Sequence, residues 1–227
     1  ERQFDVADRA TVSNYLAKWQ EDLSQYSRYG YFFFNEYALL PVLASSYESS
    51  PTYTTNGLAW FREYAVAKYG PENAQIRFPI HPLALGLVGV SNAGNSRIVL
   101  DASVTNRVEI TTDPAHWAKW WEWRQVVFAH LMDGYARRLE ELNATNAYWK
   151  GTILFVAPAA AWAPESGINL DLLSRIPDLD WMVIENNRAY SYGTTTNRRE
   201  EEVQLQLRGL RQVCSTNTGF GSYAMGH

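Results

Sequence analysis

Two glutamates stand where a run of apolar residues stops. Glu36 closes the run in YGYFFFNEYALLP, Tyr29 to Pro41, and Glu185 closes the one in LDWMVIENNRAY. Each has asparagine beside it, Asn35 ahead of the first and Asn186-Asn187 behind the second. A carboxyl at the mouth of an apolar strand loses part of its hydration, which raises its pKa toward the working range of a general acid. Glu36 fits that role, with capping of the next helix or pairing with an arginine as the alternative. Glu185 reads as a nucleophile, a ligand-contacting group or a structural residue. A third apolar run, KGTILFVAP, leads into APAAAWAPESG, where Trp162 offers either a flat stacking face for a ligand or a ring that packs on its neighbours.

Other chemistries find little footing. His81, His116, His130 and His227 are scattered without metal-ligand spacing, and Cys214 stands alone. Neither a metal nor a cofactor is expected. Gly86 and Gly89 in LGLVG lack the lysine and following helix of a phosphate loop. A net charge of −4, with both signs spread along 227 residues, gives no basic stripe for nucleic acid and no polybasic patch for a membrane. No run reaches the length of a transmembrane span. Nine Trp and fourteen Tyr lean toward a carbohydrate ligand, although core packing accounts for them equally well.

The elements that must hold these residues follow from periodicity. DRATVSNYLAKWQEDLSQYSRYG reads as an amphipathic helix capped by Asp8 and stopped at Gly30, and LAWFREYAVAKYG as a second helix that ends on Gly70. From about 71 to 112 the runs QIRFPI, SRIVLDASV and NRVEITT read as an irregular β-containing insertion with some hairpin character. The longest helix begins at Asp113-Pro114 and carries Trp117, Trp120, Trp121, Val127, Phe128, Leu131, Tyr135 and Leu139 at helical spacing. GINLDLLSRIP predicts a short helix, NRREEEVQLQLRGLRQVC a final one, and STNTGFGSYAMGH an irregular tail. Arg62 and Arg124 are expected to tie helices to nearby carboxylates. Three apolar strands alternating with helices predict the α/β class, built of parallel βαβ units, in which ligands bind at the carboxyl ends of the strands.

Several of these segments resemble one family. A strand ending in Asn-Glu is the acid/base signature of the clan of retaining glycoside hydrolases built on a (β/α)8 barrel. Phe61-Arg62-Glu63-Tyr64 with Lys68-Tyr69-Gly70 is similar to the segment that follows that strand in family 42 β-galactosidases. VEITTDPAHWAKWWEWRQVVFAHLM, with Trp120, Trp123 and Phe128, resembles the family's tryptophan-bearing helix, and LDWMVIENNRAY its sixth-strand pattern. The likeness spans most of residues 8 to 213. It implies part of a TIM barrel, strands four to six, and a glycosidase acting on β-linked sugars. Glu36 would be the acid/base, Asn35 would bind the sugar 2-hydroxyl, and Tyr37, Trp162, Asn186 and Asn187 would line the substrate site. The clan's nucleophile belongs on a seventh strand, and no apolar run after Cys214 ends in glutamate, so Glu185 is the candidate within the chain.

A whole barrel takes about 250 residues. The expectation is therefore one partial barrel domain over 1–227, a piece of something longer, with a second chain or another segment covering its strand edges. A non-catalytic carbohydrate-binding or structural module of the same kind is the alternative. The compartment is left open; few lysines and many Ser, Thr, Asn and Tyr are compatible with export.

Overall fold

The computed structural model describes residues 7–25, 32–34, 55–79, 110–145, 153–157, 168–179, 181–185, 208, 211–212 and 219–223. In chain order the elements are α1 (Arg9–Ser24), β1 (Phe32–Phe34), α2 (Thr55–Tyr69), a 3-10 turn (Pro71–Gln75), β2 (Phe78–Pro79), β3 (Ile110–Thr111), α3 (Ala115–Thr145), β4 (Ile153–Ala157), α4 (Leu170–Ser174), β5 (Trp181–Glu185) and β6 (Gly219–Tyr223).

The helix boundaries follow local chemistry. Asp8 caps α1, its Oδ1 accepting from the Ala10 and Thr11 backbone N–H groups and its Oδ2 from the Thr11 hydroxyl at 2.8 Å. Asp113 does the same for α3, accepting from the Ala115 N–H at 2.9 Å, with Pro114 between them. Asn169 caps α4 through Leu172. Helix α2 stops at Gly70, whose φ of 106° suits glycine alone, and a Cβ there would stand 2.5 Å from Glu72 Oε2.

The chain divides into two compact units, residues 1–15 with 39–128 and residues 16–38 with 129–227. The core of the first is aromatic. Phe61 stacks on Phe78 at 6.1 Å and tilts against Trp123 at 5.3 Å, while Trp60 meets Trp123 edge-on at 5.9 Å. Such pairs contribute about 0.5–1.5 kcal/mol each beyond the area they bury. The 3-10 turn is held to α3 by Lys119, which donates to Asn73 Oδ1 at 2.5 Å. In the second unit α1 lies against α3. Gly134 lets Leu16 approach, Trp19 meets Tyr135 edge-on at 4.8 Å, and Gln20 donates to the Arg138 carbonyl and to Glu141.

The expected fold class, α/β with parallel βαβ units resembling part of a TIM barrel, is overturned. Among the residues described in full, backbone and side chain, 79% are helical and only two parallel strands occur. Those two, β2 and β3, pair over two residues each. The physical reason lies in the core. A barrel segment places its buried side chains between strands and covering helices, whereas among the described side chains most of the buried ones belong to helices: Leu58, Trp60, Phe61 and Ala65 on α2, and Trp120, Trp123, Val127, Phe128, Leu131 and Leu139 on α3. Trp60 and Phe61 of α2 pack on Trp123 of α3, helix on helix. At the two ends of the insertion expected near 71–112, β2 and β3 pair in parallel. Residues 80–109 of that insertion lie outside the described residues.

Four strands are placed by their backbones, β1, β4, β5 and β6, in a parallel sheet of that order. Their connections depart from one covering helix per strand. Between β1 and β4 come α2, the β2/β3 pair and the 31 residues of α3, and between β4 and β5 stands α4, of five residues. At 1.5 Å per residue α4 is about 7.5 Å long, less than half of a usual strand. The tail expected to be irregular supplies β6. In the predicted last helix Arg208, Arg211 and Gln212 are helical and exposed, and its other residues lie outside the described ones.

Candidate functional site

The candidate site is the carboxyl edge of the four-stranded sheet. Register aligns Phe34, Phe155, Met182 and Phe220 in one row, and Ala157, Ile184 and Ser222 two rows further on. The last row pairs Glu185 with Tyr223. Because the strands are parallel, Phe34, Ala157, Glu185 and Tyr223 end their strands at one edge. Glu185 is therefore the terminal residue of β5. Glu36, Asn35, Tyr37, Trp162, Asn186 and Asn187 lie outside the described residues. In the chain, Asn35-Glu36 follow directly on the end of β1, and Asn186-Asn187 on the end of β5. Sequence reasoning missed Tyr223. Its signal was the alternation of small and large residues in GFGSY, hidden because glycine is a poor strand former.

Of the residues that carry the family likeness, the large apolar ones that are described pack in the core. Phe61, Trp120, Trp123 and Phe128 are fully buried, and Trp123 contacts both Phe61 and Trp60. Arg62 Nε donates to the Ile76 carbonyl at 3.1 Å, joining α2 to the end of the 3-10 turn. The Arg124 guanidinium is fully buried and lies 4.6 Å above the Trp120 ring, a cation–π contact. Trp117 and Trp121 are half-buried and contact each other at 5.6 Å. Together these contacts build the core between α2 and α3.

Polar clusters in the described helices also do structural work. Lys68 joins α2 to α3 through Glu122, and its ammonium lies 5.7 Å from the rings of both Tyr64 and Tyr69. The bond to Glu122 raises the Lys68 pKa, and burial raises that of the Tyr64 phenol. His116 Nδ1 faces the Arg77 backbone, 3.0 Å from its carbonyl oxygen, with Asp113 Oδ2 3.8 Å from Nε2. A bond from the Gln20 amide lowers the Glu141 carboxyl, with Arg138 adding to the effect. Among the described residues, no group of three His, Cys, Asp or Glu is placed to hold a metal. No described helix is long and apolar enough to cross a membrane.

Compared with family models, with curated proteins and with solved structures, the chain matches none of them.

Proposed function

We propose that this chain is a glycoside hydrolase acting on β-linked sugars by a retaining two-carboxylate mechanism, with Glu36 as general acid/base. The observation that supports the reading is the shared edge: β1 and β5 are parallel members of one sheet, and each runs at its carboxyl end into a glutamate with asparagine beside it. In the mechanism Glu36 passes its proton to the glycosidic oxygen as that bond breaks. An ionised carboxylate attacks the anomeric carbon and holds the sugar covalently. Glu36, now ionised, then takes a proton from the water that releases the sugar. Asn35 binds the 2-hydroxyl, and Tyr37, Trp162, Asn186 and Asn187 line the sugar.

The second carboxylate is Glu185 or one brought by another segment. Strand order gives the second reading its footing. One strand, β4, separates β1 from β5, so their backbones stand about 9.6 Å apart. A retaining pair needs its carboxyl groups about 5–5.5 Å apart. If no side chain closes that gap and no other carboxylate enters, the chain is a non-catalytic carbohydrate-binding module. Hydrolysis of a panel of nitrophenyl glycosides by the wild type and by Glu36→Gln separates the readings. The expected result is a loss of about 100-fold or more in Glu36→Gln, with retention of anomeric configuration by proton NMR. Equal rates remove Glu36 from the mechanism, and inversion removes the covalent step. Binding without hydrolysis leaves the module.

A further inference from the structure

The four strands of the sheet read FFF, ILFVA, WMVIE and GFGSY, and these carry two ionisable side chains, Glu185 and Tyr223. Register makes the two partners in the terminal row of β5 and β6. Partnered residues of adjacent parallel strands share a face of the sheet, and their backbones run about 4.8 Å apart. A slip of one residue would move Tyr223 to the opposite face. We infer that Tyr223 is a positioning residue for Glu185, because the register makes the two residues partners in the last row at the carboxyl edge of the sheet. The assignment rests on the reading of that edge as the site.

The chemistry this pairing offers is that of a hydroxyl donor and a carboxylate. A donor that bonds the ionised form favours it and lowers the carboxyl pKa, and a nucleophile must be ionised to attack. The rest of the strand sequence around the pair is apolar or small, so no other charged group on β1, β4, β5 or β6 competes for this role. Tyr223 would thus hold Glu185 in its charged form while Glu36 carries the proton. Removing the phenol hydroxyl should raise the Glu185 midpoint, and removing the carboxylate should lower that of the phenol, since the coupling is reciprocal.

The test follows the titration of Glu185 itself by carbon-13 NMR of the full chain labelled at the glutamate carboxyl, with Glu185→Gln assigning its resonance. In Tyr223→Phe the midpoint is expected to rise by about one pH unit, while the other glutamates stay where they were. An unmoved midpoint overturns the assignment. Should Tyr223→Phe fail to fold, the reciprocal measurement decides: the Tyr223 ring carbon, labelled and titrated in Glu185→Gln, must ionise at lower pH than in the wild type, and an unchanged phenol overturns the pairing. The glycoside assay separates this inference from the reading beneath it. Coupled titrations with undiminished hydrolysis in Glu36→Gln keep the pair and remove Glu36's role. Uncoupled titrations with hydrolysis lost in Glu36→Gln do the reverse.

Discussion

Asp8 concentrates three hydrogen bonds on one carboxylate, two from backbone N–H groups and one from the Thr11 hydroxyl. The bond from the Thr11 hydroxyl, with the backbone bonds adding to it, lowers its pKa from the ordinary carboxyl value. Asp8→Ala is expected to cost about 1 kcal/mol, the usual worth of an N-cap, read as a lowered midpoint in thermal unfolding. The pH dependence has a definite sign. A carboxyl whose folded pKa is depressed adds stability above its unfolded pKa and loses it as pH falls through the folded value. The gap between wild type and Asp8→Ala should therefore narrow in acid, below the usual aspartate range, and hold steady above it. A gap that widened in acid would contradict the cap. Asp8, Gly70 and Asp113 were all legible from sequence, because each acts through bonds or torsions within a few residues of itself. The site residues were legible as types and spacing only. Of the residues named, Glu185 alone has its place fixed by the sheet, and Tyr223 became visible only through a register that no local pattern specifies.

Helix α1 meets α3 where Gly134 faces Leu16. A Cβ on Gly134 would lie 2.5 Å from Leu16 Cδ1, and Leu16 is 5% exposed, with little room to turn aside. Two effects oppose each other in Gly134→Ala. Alanine gains about 1 kcal/mol of helix propensity, and overpacking costs about 1–3 kcal/mol. The clash should win, so Gly134→Ala is expected to be destabilised by about 1 kcal/mol in chemical denaturation. In a Leu16→Ala background the same change should become stabilising, because the clash is gone and the propensity remains. An equal effect in both backgrounds would place the helices farther apart. Elements were the level at which sequence served best. The starts of α1 and α3, the end of α2 and the positions of β1, β4 and β5 follow from caps and apolar runs. Pairing did not, since an apolar run of two to five residues carries no record of its partner or direction. That is why the parallel pairing of β2 with β3 was not foreseen and β6 was read as tail.

At the scale of the molecule, the fold class was misread because apolar runs alternating with helical patterns do not record whether the buried side chains lie between strand and helix or between helix and helix. Trp60, Phe61 and Trp123 resolve that ambiguity in favour of helix packing. The sheet brings its own demand. Among the described strands β1 and β6 are the outer ones, and neither FFF nor GFGSY carries a charge or a proline to discourage pairing with another chain. If a second copy of the chain covers those edges, the mass in light scattering is expected to rise with concentration. A single-chain mass at every concentration would remove this partner. The strand order also sets a schedule for biosynthesis. Phe32–Phe34 pairs with Ile153–Phe155, so at about 5–20 residues per second a ribosome needs roughly 6 to 24 seconds to deliver the second strand after the first. Throughout that interval three consecutive phenylalanines await their neighbour on a nascent polypeptide, a natural perch for a holdase and a hazard in any host that translates slowly.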